Sequence, residues 1–437
     1  MSLRPPESVQ KLRQALHVKA KGSPSQKFHS LYDKVYRADV LSYAYRQCLS
    51  NKGAVGVDGQ TFEDIHAYGV ERWLGELAQE LRKKTYRPQA VRRVYIPKAD
   101  GKQRPLGIPT IRDRVVQTAA LMVLEPIFEA DLQSEQYAYR PNRSALDALR
   151  RIYGLVSAGH TQVVDADLKG FFDTIPHPEL MRCVSRRVSD GSMLRLIKTW
   201  LRMPVQEQDP ESGKRRMLPK DDEHRGTPQG APISPLLSNL YMRRFVLGWK
   251  TGGHENRLDA RIVNYADDFV ICCKGTAQKA VTQMREMMSR LKLTVNETKT
   301  CIRELPDESF DFLGYTVGKV YSWKSRCLIL GTRPSRKKVR SVCDKIHELT
   351  TRRCTWREED DQIAQLNWVL RGWSNYFCLG VVDRAYRAVD EQVRARLRRW
   401  LCIKHKISGR GYRQYPDDQL TAMGLVKLSR CSRASRG

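Results

Sequence analysis

The sequence predicts an α+β fold, a sheet backed by helices on one face with a small helical bundle after it, on three observations. The central third carries short apolar runs that end in acids: Val163-Val164-Asp165-Ala166-Asp167-Leu168, Arg261-Ile262-Val263-Asn264-Tyr265 and Phe269-Val270-Ile271-Cys272-Cys273. Runs of that length bounded by polar turns read as strands. Past Gly331, apolar residues recur at steps of three and four, the helical period. The chain has 437 residues, 41% of them hydrophobic, enough to bury the cores of several packed subdomains.

Taken in order, residues 1 to about 85 read as helical and mixed in charge, with a glycine-rich turn segment from Asn51 to Gly59. Arg92-Arg93-Val94-Tyr95-Ile96-Pro97-Lys98, the turn Ala99–Lys102, and Arg104-Pro105-Leu106-Gly107-Ile108-Pro109 read as a basic hairpin. The three central strands follow, then a helix from about Thr276 to Lys292 with Val281, Met284, Met288 and Leu291 on one face. In the last third, Val339, Val342, Ile346 and Leu349 mark one amphipathic helix. Ile363, Leu366, Leu370, Trp373 and Phe377 mark a second, and Val389, Val393, Leu397 and Leu401 a third. The expected division is 1–85, an extension leading into the first lobe; 86–330, the sheet-bearing body; 331–405, the helical bundle; and 406–437, a basic tail.

Charge narrows the function. Lys and Arg total 77 against 48 Asp and Glu, a formal charge of +29. Self-repulsion on that scale is offset when a polyanion is the partner, and nucleic acid is the usual one. The chain has no long uncharged apolar run, no lipidation signature and no signal-like N-terminal stretch, so the expectation is a cytosolic protein that does not bind a membrane. The cysteines are scattered without a Cys-x-x-Cys pair, and the histidines form no ligand-spaced cluster, which argues against zinc and against a disulfide framework.

The chemistry rests on carboxylates. Tyr265-Ala266-Asp267-Asp268 puts two acids in a tight turn between two apolar strands, where like charges repel unless a cation sits among them. Asp167, at the end of a neighbouring strand, supplies a third. Phosphoryl transfer by two divalent ions needs such a group of oxygen ligands, because magnesium is a hard cation. Asp165, two residues before Asp167, points to the same face and is read as a supporting acid.

The ordered set Asp167-Leu168-Lys169-Gly170-Phe171-Phe172-Asp173, Thr227-Pro228-Gln229-Gly230, the Asp267-Asp268 hairpin and Lys299 resembles the reverse-transcriptase family. Further blocks are similar to those of group II intron reverse transcriptases: Ile96-Pro97-Lys98 with Arg104–Thr110, Tyr139-Arg140-Pro141-Asn142-Arg143-Ser144-Ala145-Leu146-Asp147-Ala148, Arg225–Asn239, and Phe312-Leu313-Gly314-Tyr315. Leu366-Asn367-Trp368-Val369-Leu370-Arg371-Gly372-Trp373-Ser374-Asn375-Tyr376-Phe377 looks like the thumb, or maturase domain X, of the same family. The likeness runs from about residue 26 to 425. It implies a right-hand polymerase, with fingers and palm on an antiparallel sheet and a helical thumb. It also implies two Mg2+ ions at Asp167, Asp267 and Asp268, with deoxynucleoside triphosphates as substrates.

Carried over residue by residue, the resemblance implies that Lys98 and Arg104 neutralise the incoming triphosphate. Phe172 would lie under the sugar and exclude a 2′-hydroxyl, Gln229 would meet the nucleotide, and Lys299 would either meet the nucleotide or help set the palm. Implied partners are a group II intron RNA, an RNA template with a DNA primer, and target DNA. Arg371, Arg384, Arg387, Arg394, Arg396, Arg398 and Arg399 are the expected phosphate contacts, with Trp368, Trp373 and Tyr376 suited to packing or stacking. The family often carries a nuclease module with His and paired Cys ligands; nothing after Arg410 has that spacing, so none is expected. Two other readings stay open: an RNA-binding splicing factor with vestigial polymerase, and a stand-alone reverse transcriptase recruited to defence or repair.

Overall fold

The computed structural model describes residues 4–97, 103–208, 215–218, 224–322 and 325–429. The chain opens with α1 (Glu7–Gly22), α2 (Tyr32–Val35), α3 (Ala38–Ser50), α4 (Phe62–Tyr68) and α5 (Val70–Arg82). The expected hairpin is β1 (Val91–Pro97) and β2 (Gln103–Ile108), antiparallel in a register that sets Tyr95 opposite Pro105. Helix α6 (Ile111–Glu129) begins at Thr110, whose hydroxyl accepts from the Asp113 amide. Apolar almost all round, α6 is buried along most of its length and forms the axis on which α1, α2 and α3 pack. Asp113 is itself buried, and it survives there because the Tyr86 hydroxyl (2.6 Å), the Gln89 amide (3.1 Å) and the Thr110 hydroxyl (2.8 Å) all donate to it.

Next come α7 (Ala145–Ser157), started by a Ser144–Asp147 capping box, and β3 (Gln162–Ala166). Three helices follow: α8 (Phe171–Thr174), α9 (His177–Ser185) and α10 (Gly191–Leu201). Strands β4 (Val205–Gln208) and β5 (Arg215–Leu218) extend the basic hairpin into a four-stranded sheet of order β2-β1-β4-β5, a use of this segment that its spacing does not announce. After α11 (Ser234–Thr251) and α12 (His254–Arg257), the hairpin β6 (Ala260–Tyr265) and β7 (Asp268–Cys273) leads to α13 (Ala277–Arg290) and β8 (Cys301–Glu304). These build the palm sheet, order β6-β7-β3-β8, with all pairs antiparallel.

Both faces of that sheet are covered, a correction to the expected single helical backing. Val164, Ile262, Phe269, Ile271 and Cys273 face the main core, shared with α9, α11 and α13. Val163, Val263, Val270 and Cys272 face a second core, closed by α7 and by a small sheet of order β11-β10-β9. Its strands are β9 (Phe310–Phe312), β10 (Tyr315–Ser322) and β11 (Cys327–Pro334). The near-unbroken apolar run of β7 is the signature of such two-sided burial.

The thumb is α14 (Arg336–Leu349), α15 (Glu359–Tyr376) and α16 (Asp383–Lys404), around Val342, Ile346, Ile363, Leu366, Leu370, Val389, Val393 and Leu397, as the periodicity predicts. It is joined tightly to the small sheet. The Tyr315 hydroxyl donates to Tyr376 O (2.6 Å), the Tyr376 hydroxyl donates to Leu313 O (2.8 Å), and the Phe377 ring packs at a tilt 5.1 Å from that of Tyr315. Of the stretch expected to be a basic tail, the described residues 406–429 fold back through α17 (Asp417–Ala422), and Leu420, Leu425 and Leu428 complete the thumb core. The buried carboxylate of Asp390 fastens that end by accepting from the Leu428 and Ser429 amides at 2.9 and 3.0 Å. Among the described residues, no helix is long and apolar enough to cross a membrane.

Candidate active site

Alternation along the strands decides which acids meet. Asp165 and Asp167 share the parity of Val163, and Asp268 shares that of Val270 and Cys272, so all three lie on the thumb-facing side of the palm sheet. Asp267 sits in the two-residue turn with Ala266, which takes a left-handed φ of 59°. The buried Asn264 braces this turn, its amide donating to Ala266 O at 2.8 Å. Its strand is held from outside as well: the Asn264 amide donates to Glu135 O (2.9 Å), and the Tyr137 amide to Asn264 O (3.0 Å).

The acids act on one another. Burial first, then the charges of Asp267, Asp167 and Asp165, push the Asp268 carboxyl up to about 7, with Lys299 opposing. Asp268 is exposed to the water of the cleft, which weakens that penalty, and the three neighbouring carboxylates act in the same direction as burial. Burial also raises Asp165 to about 6; Arg303 opposes, and Asp167 and Asp311 add to the rise. Asp167 is oriented by its neighbours. Asn296 Nδ2 donates to its Oδ2 at 2.7 Å, Lys299 Nζ lies 3.3 Å from the same oxygen, and its backbone amide donates to Thr300 Oγ1 at 3.4 Å. Lys299 therefore lands on a carboxylate, where the sequence reading left its role open between nucleotide and palm.

Among the described residues no three His, Cys, Asp or Glu side chains already converge on one point as a metal cage. The donor set nonetheless fits a hard divalent cation: four carboxylates, offering oxygen ligands only, with mutual repulsion that two positive ions would relieve.

Beside the carboxylates lies a cavity of about 750 Å³, lined in part by Arg104, Tyr139, Phe172, Gln229 and Arg114. Arg104 Nε donates to Gln229 Oε1 at 3.1 Å and Gln229 Nε2 to Asp173 Oδ2 at 2.9 Å, so one amide bridges the hairpin to α8. Backbone closeness makes this bridge, because the Gly107 amide donates to Gln229 O at 2.7 Å. A Cβ on Gly230, whose φ is +105°, would stand 2.8 Å from Gly107 O, so only glycine allows it. Phe172 is buried edge-on against Phe171 at 5.5 Å, with one side on the cavity, and its carbonyl accepts the Thr227 amide at 2.6 Å. Lys98 lies outside the described residues.

Tyr139 is the residue that sequence reasoning missed. It takes a left-handed φ of 55°, is half-exposed, and its phenol is raised by burial and then by the Asp267 carboxylate, with Arg104 opposing. The only sequence signal was its place in the block Tyr139–Ala148.

A second cleft, about 1290 Å³, runs from Asp268 and the Leu313–Gly314 turn to α14 and α15, with Lys338, Lys345, Arg371 and Trp368 on its walls. Trp368 is 80% exposed, whereas Trp373 and Tyr376 are packed into the joint between palm and thumb. The thumb arginines divide. Arg371, Arg384, Arg387 and Arg399 are at the surface. Arg398 is not: it is 3% exposed, and it donates to Tyr415 O (2.8 Å) and Asp417 Oδ1 (2.6 Å). Arg394 pairs with Asp417 at 3.2 Å, and Arg396 donates to Thr350 Oγ1 at 3.0 Å and Thr350 O at 3.1 Å. These three, expected as phosphate contacts, hold the thumb together, because α16 carries arginine on its core side and internal oxygens satisfy it.

Comparison with known sequences agrees with this layout. The family described as reverse transcriptase (RNA-dependent DNA polymerase) matches residues 96–317, and the group II intron, maturase-specific domain matches residues 339–415. Protein YkfC of Escherichia coli (strain K12) is 35% identical over 368 residues, covering 75% of this chain and 93% of that protein. The group II intron-encoded protein LtrA of Lactococcus lactis subsp. cremoris is 28% identical over 355 residues, 66% of this chain. The match takes in 57% of LtrA, so the chain spans little more than half of that relative's length.

Proposed function

Because the chain belongs to the reverse transcriptase (RNA-dependent DNA polymerase) family and carries a group II intron maturase-specific domain, we propose that it copies RNA into DNA and binds a group II intron RNA to assist its splicing and mobility. The observation that carries the reading is the group of four carboxylates beside a cavity lined by Arg104, Phe172 and Gln229.

Asp167, Asp267 and Asp268 would hold two Mg2+ ions, with Asp165 behind them. The chemistry such ions would supply is activation of the attacking 3′-oxygen and neutralisation of the leaving pyrophosphate. The chain's own residues do the rest. Lys299 and Asn296 hold the Asp167 carboxylate in one orientation. Arg104 presents a fixed guanidinium to the triphosphate, positioned by its bond to Gln229. Phe172 bounds the space under the sugar, so a deoxyribose fits and a ribose collides. The thumb cleft, with Lys338, Lys345 and Arg371, receives the duplex of RNA template and DNA primer. Intron RNA and target DNA are the further partners.

The test separates chemistry from binding. Asp267→Asn should abolish primer extension on an RNA template while leaving RNA affinity within about twofold, since affinity rests on Lys and Arg. The same protein should still promote splicing of the intron that surrounds its reading frame at low magnesium. Near-normal extension would remove the site assignment, and a wild-type protein that aids no flanking intron would leave a stand-alone reverse transcriptase.

A further inference from the structure

Behind the palm, between α9 and α11, a cavity of about 220 Å³ is lined by Arg182, Arg186, Arg243 and Arg244. Arg182 stands on the last turn of α9 and Arg186 caps it one turn on; Arg243 and Arg244 are neighbours in the middle of α11. The buried Phe128 and Leu240 line its inner part. Two acids also border it; each pairs with a cation outside the cavity and also acts on its arginines, Glu179 on Arg182 and Asp131 on Arg186 and Arg243. Glu179 Oε1 is 2.7 Å from Lys292 Nζ, and Asp131 Oδ2 is 3.5 Å from the buried Arg187. Six cations thus surround two carboxylates. Burial, together with repulsion from Arg186 and Arg187, lowers the Arg243 guanidinium, with Asp131 and the Cys183 thiol opposing. Like charges one turn apart, and on facing helices, destabilise a fold that binds no anion.

The position is as informative as the charge. Helices α9 and α11 belong to the core on one face of the palm sheet, and Asp165, Asp167 and Asp268 lie on the other. Along α11, Arg243 is eight residues from Pro235 at the rim of the nucleotide cavity, roughly 12 Å at 1.5 Å per residue. The palm sheet therefore stands between this pocket and the catalytic acids.

We propose that the four-arginine cavity between α9 and α11 is a phosphate-binding site for the backbone of the folded intron RNA, separate from the primer–template cleft. The proposal rests on the maturase reading above. Guanidinium forks suit the paired non-bridging oxygens of a phosphodiester, and the apolar wall strengthens the attraction by excluding water. Arg243 also donates to Asp131 O at 2.6 Å, so it is anchored while the three exposed arginines meet the ligand.

The experiment replaces Arg182, Arg186 and Arg244 together by Gln, and in a companion protein by Lys, in the full chain. Arg243 is left in place because it ties α11 to the end of α6. Binding is measured against salt with two probes, a transcript of the flanking intron and oligo(dT) annealed to poly(rA). Thermal melts verify folding, and phenylglyoxal footprinting of wild type gives a readout without mutation. The Gln protein should bind the intron transcript roughly tenfold or more weakly, with the log–log salt slope reduced by about 2, at 0.7 per phosphate contact. The Lys protein should recover the salt slope, which reads charge, and only part of the affinity, which also reads the guanidinium fork, and extension of oligo(dT) should be unchanged in kcat and KM. The transcript, and not oligo(dT)–poly(rA), should protect the three arginines. Unchanged transcript affinity and slope overturn the site while the maturase reading stands. A parallel loss of primer extension places the arginines in the copying path and also overturns it. Protection by inorganic phosphate alone, with transcript binding unaltered, makes this a free-anion site instead. Wild type that binds the transcript no better than oligo(dT)–poly(rA) overturns both readings.

Discussion

Replacing Arg398 by Ala should unfasten the C-terminal segment from the thumb without touching nucleic-acid affinity. The guanidinium donates to Tyr415 O at 2.8 Å and to Asp417 Oδ1 at 2.6 Å, and it lies 4.1 Å from the centre of the Tyr412 ring. Hydrogen bonds to a charged group are worth about 1.5–3 kcal/mol each, and a partly desolvated cation–ring contact about 1 kcal/mol. Breaking a buried pair costs about 3–5 kcal/mol when the abandoned charge is stranded. Asp417 is half-exposed and keeps Arg394 at 3.2 Å, so it is not stranded, and the lower end, about 3 kcal/mol, applies. At about 1.4 kcal/mol per decade, that loosens the segment roughly a hundredfold. Hydrogen exchange is the assay: the amides of Leu420, Leu425 and Leu428 should lose about two decades of protection, while those of α14 and α15 change less. The slope of RNA affinity against salt should match wild type. Retained protection together with a flatter slope would mean that Arg398 meets phosphate, and the structural assignment would be wrong.

Phe172→Ala should raise the ratio of ribonucleotide to deoxyribonucleotide incorporation by at least tenfold, a ratio that general loss of stability does not move. An unchanged ratio in single-turnover extension puts the sugar filter elsewhere. Asp268 at about 7 and Asp165 at about 6 are raised above the ordinary carboxylate value of 3.8, so the folded protein holds protons that the unfolded chain releases. Their stabilising contribution is complete below about pH 4 and is lost as pH rises through 6 and 7. In chelator, the Tm of Asp268→Asn should therefore exceed that of wild type by a margin that grows from pH 5 to pH 8; a constant margin would refute the coupling. Neutralising the surface arginines Arg371, Arg384 and Arg399 to Gln should weaken primer–template binding and reduce the salt slope by about 2–3, at 0.9 per duplex phosphate. A slope equal to that of wild type would direct those side chains away from the nucleic acid.

The carboxylate set, the basic hairpin and the three thumb helices were legible in the sequence because each is a property of neighbouring residues. An acid two places along a strand shares a face, and apolar residues three and four apart share a helix side. The resemblance then carried Arg104, Phe172 and Gln229 to one place, and the fold lines one cavity with all three. What was illegible depends on which segments pack against which. Formal charge does not say where a guanidinium goes, since its long stem lies comfortably on apolar surface and its fork accepts internal oxygens as readily as phosphate. Arg398 turned inward because Tyr415 and Asp417 fold back over α16, and Leu420 and Leu428 are buried for the same reason. Tyr139 neighbours Asp267, more than a hundred residues on, through a left-handed backbone that no local pattern required. The second covering of the palm sheet, and the meeting of Arg182 and Arg186 with Arg243 and Arg244, likewise arise between distant segments. The sequence determined which groups are available and how neighbours along the chain are oriented. Long-range burial decided which of those groups meet, because only the packed chain determines which polar atoms have lost water and must find one another.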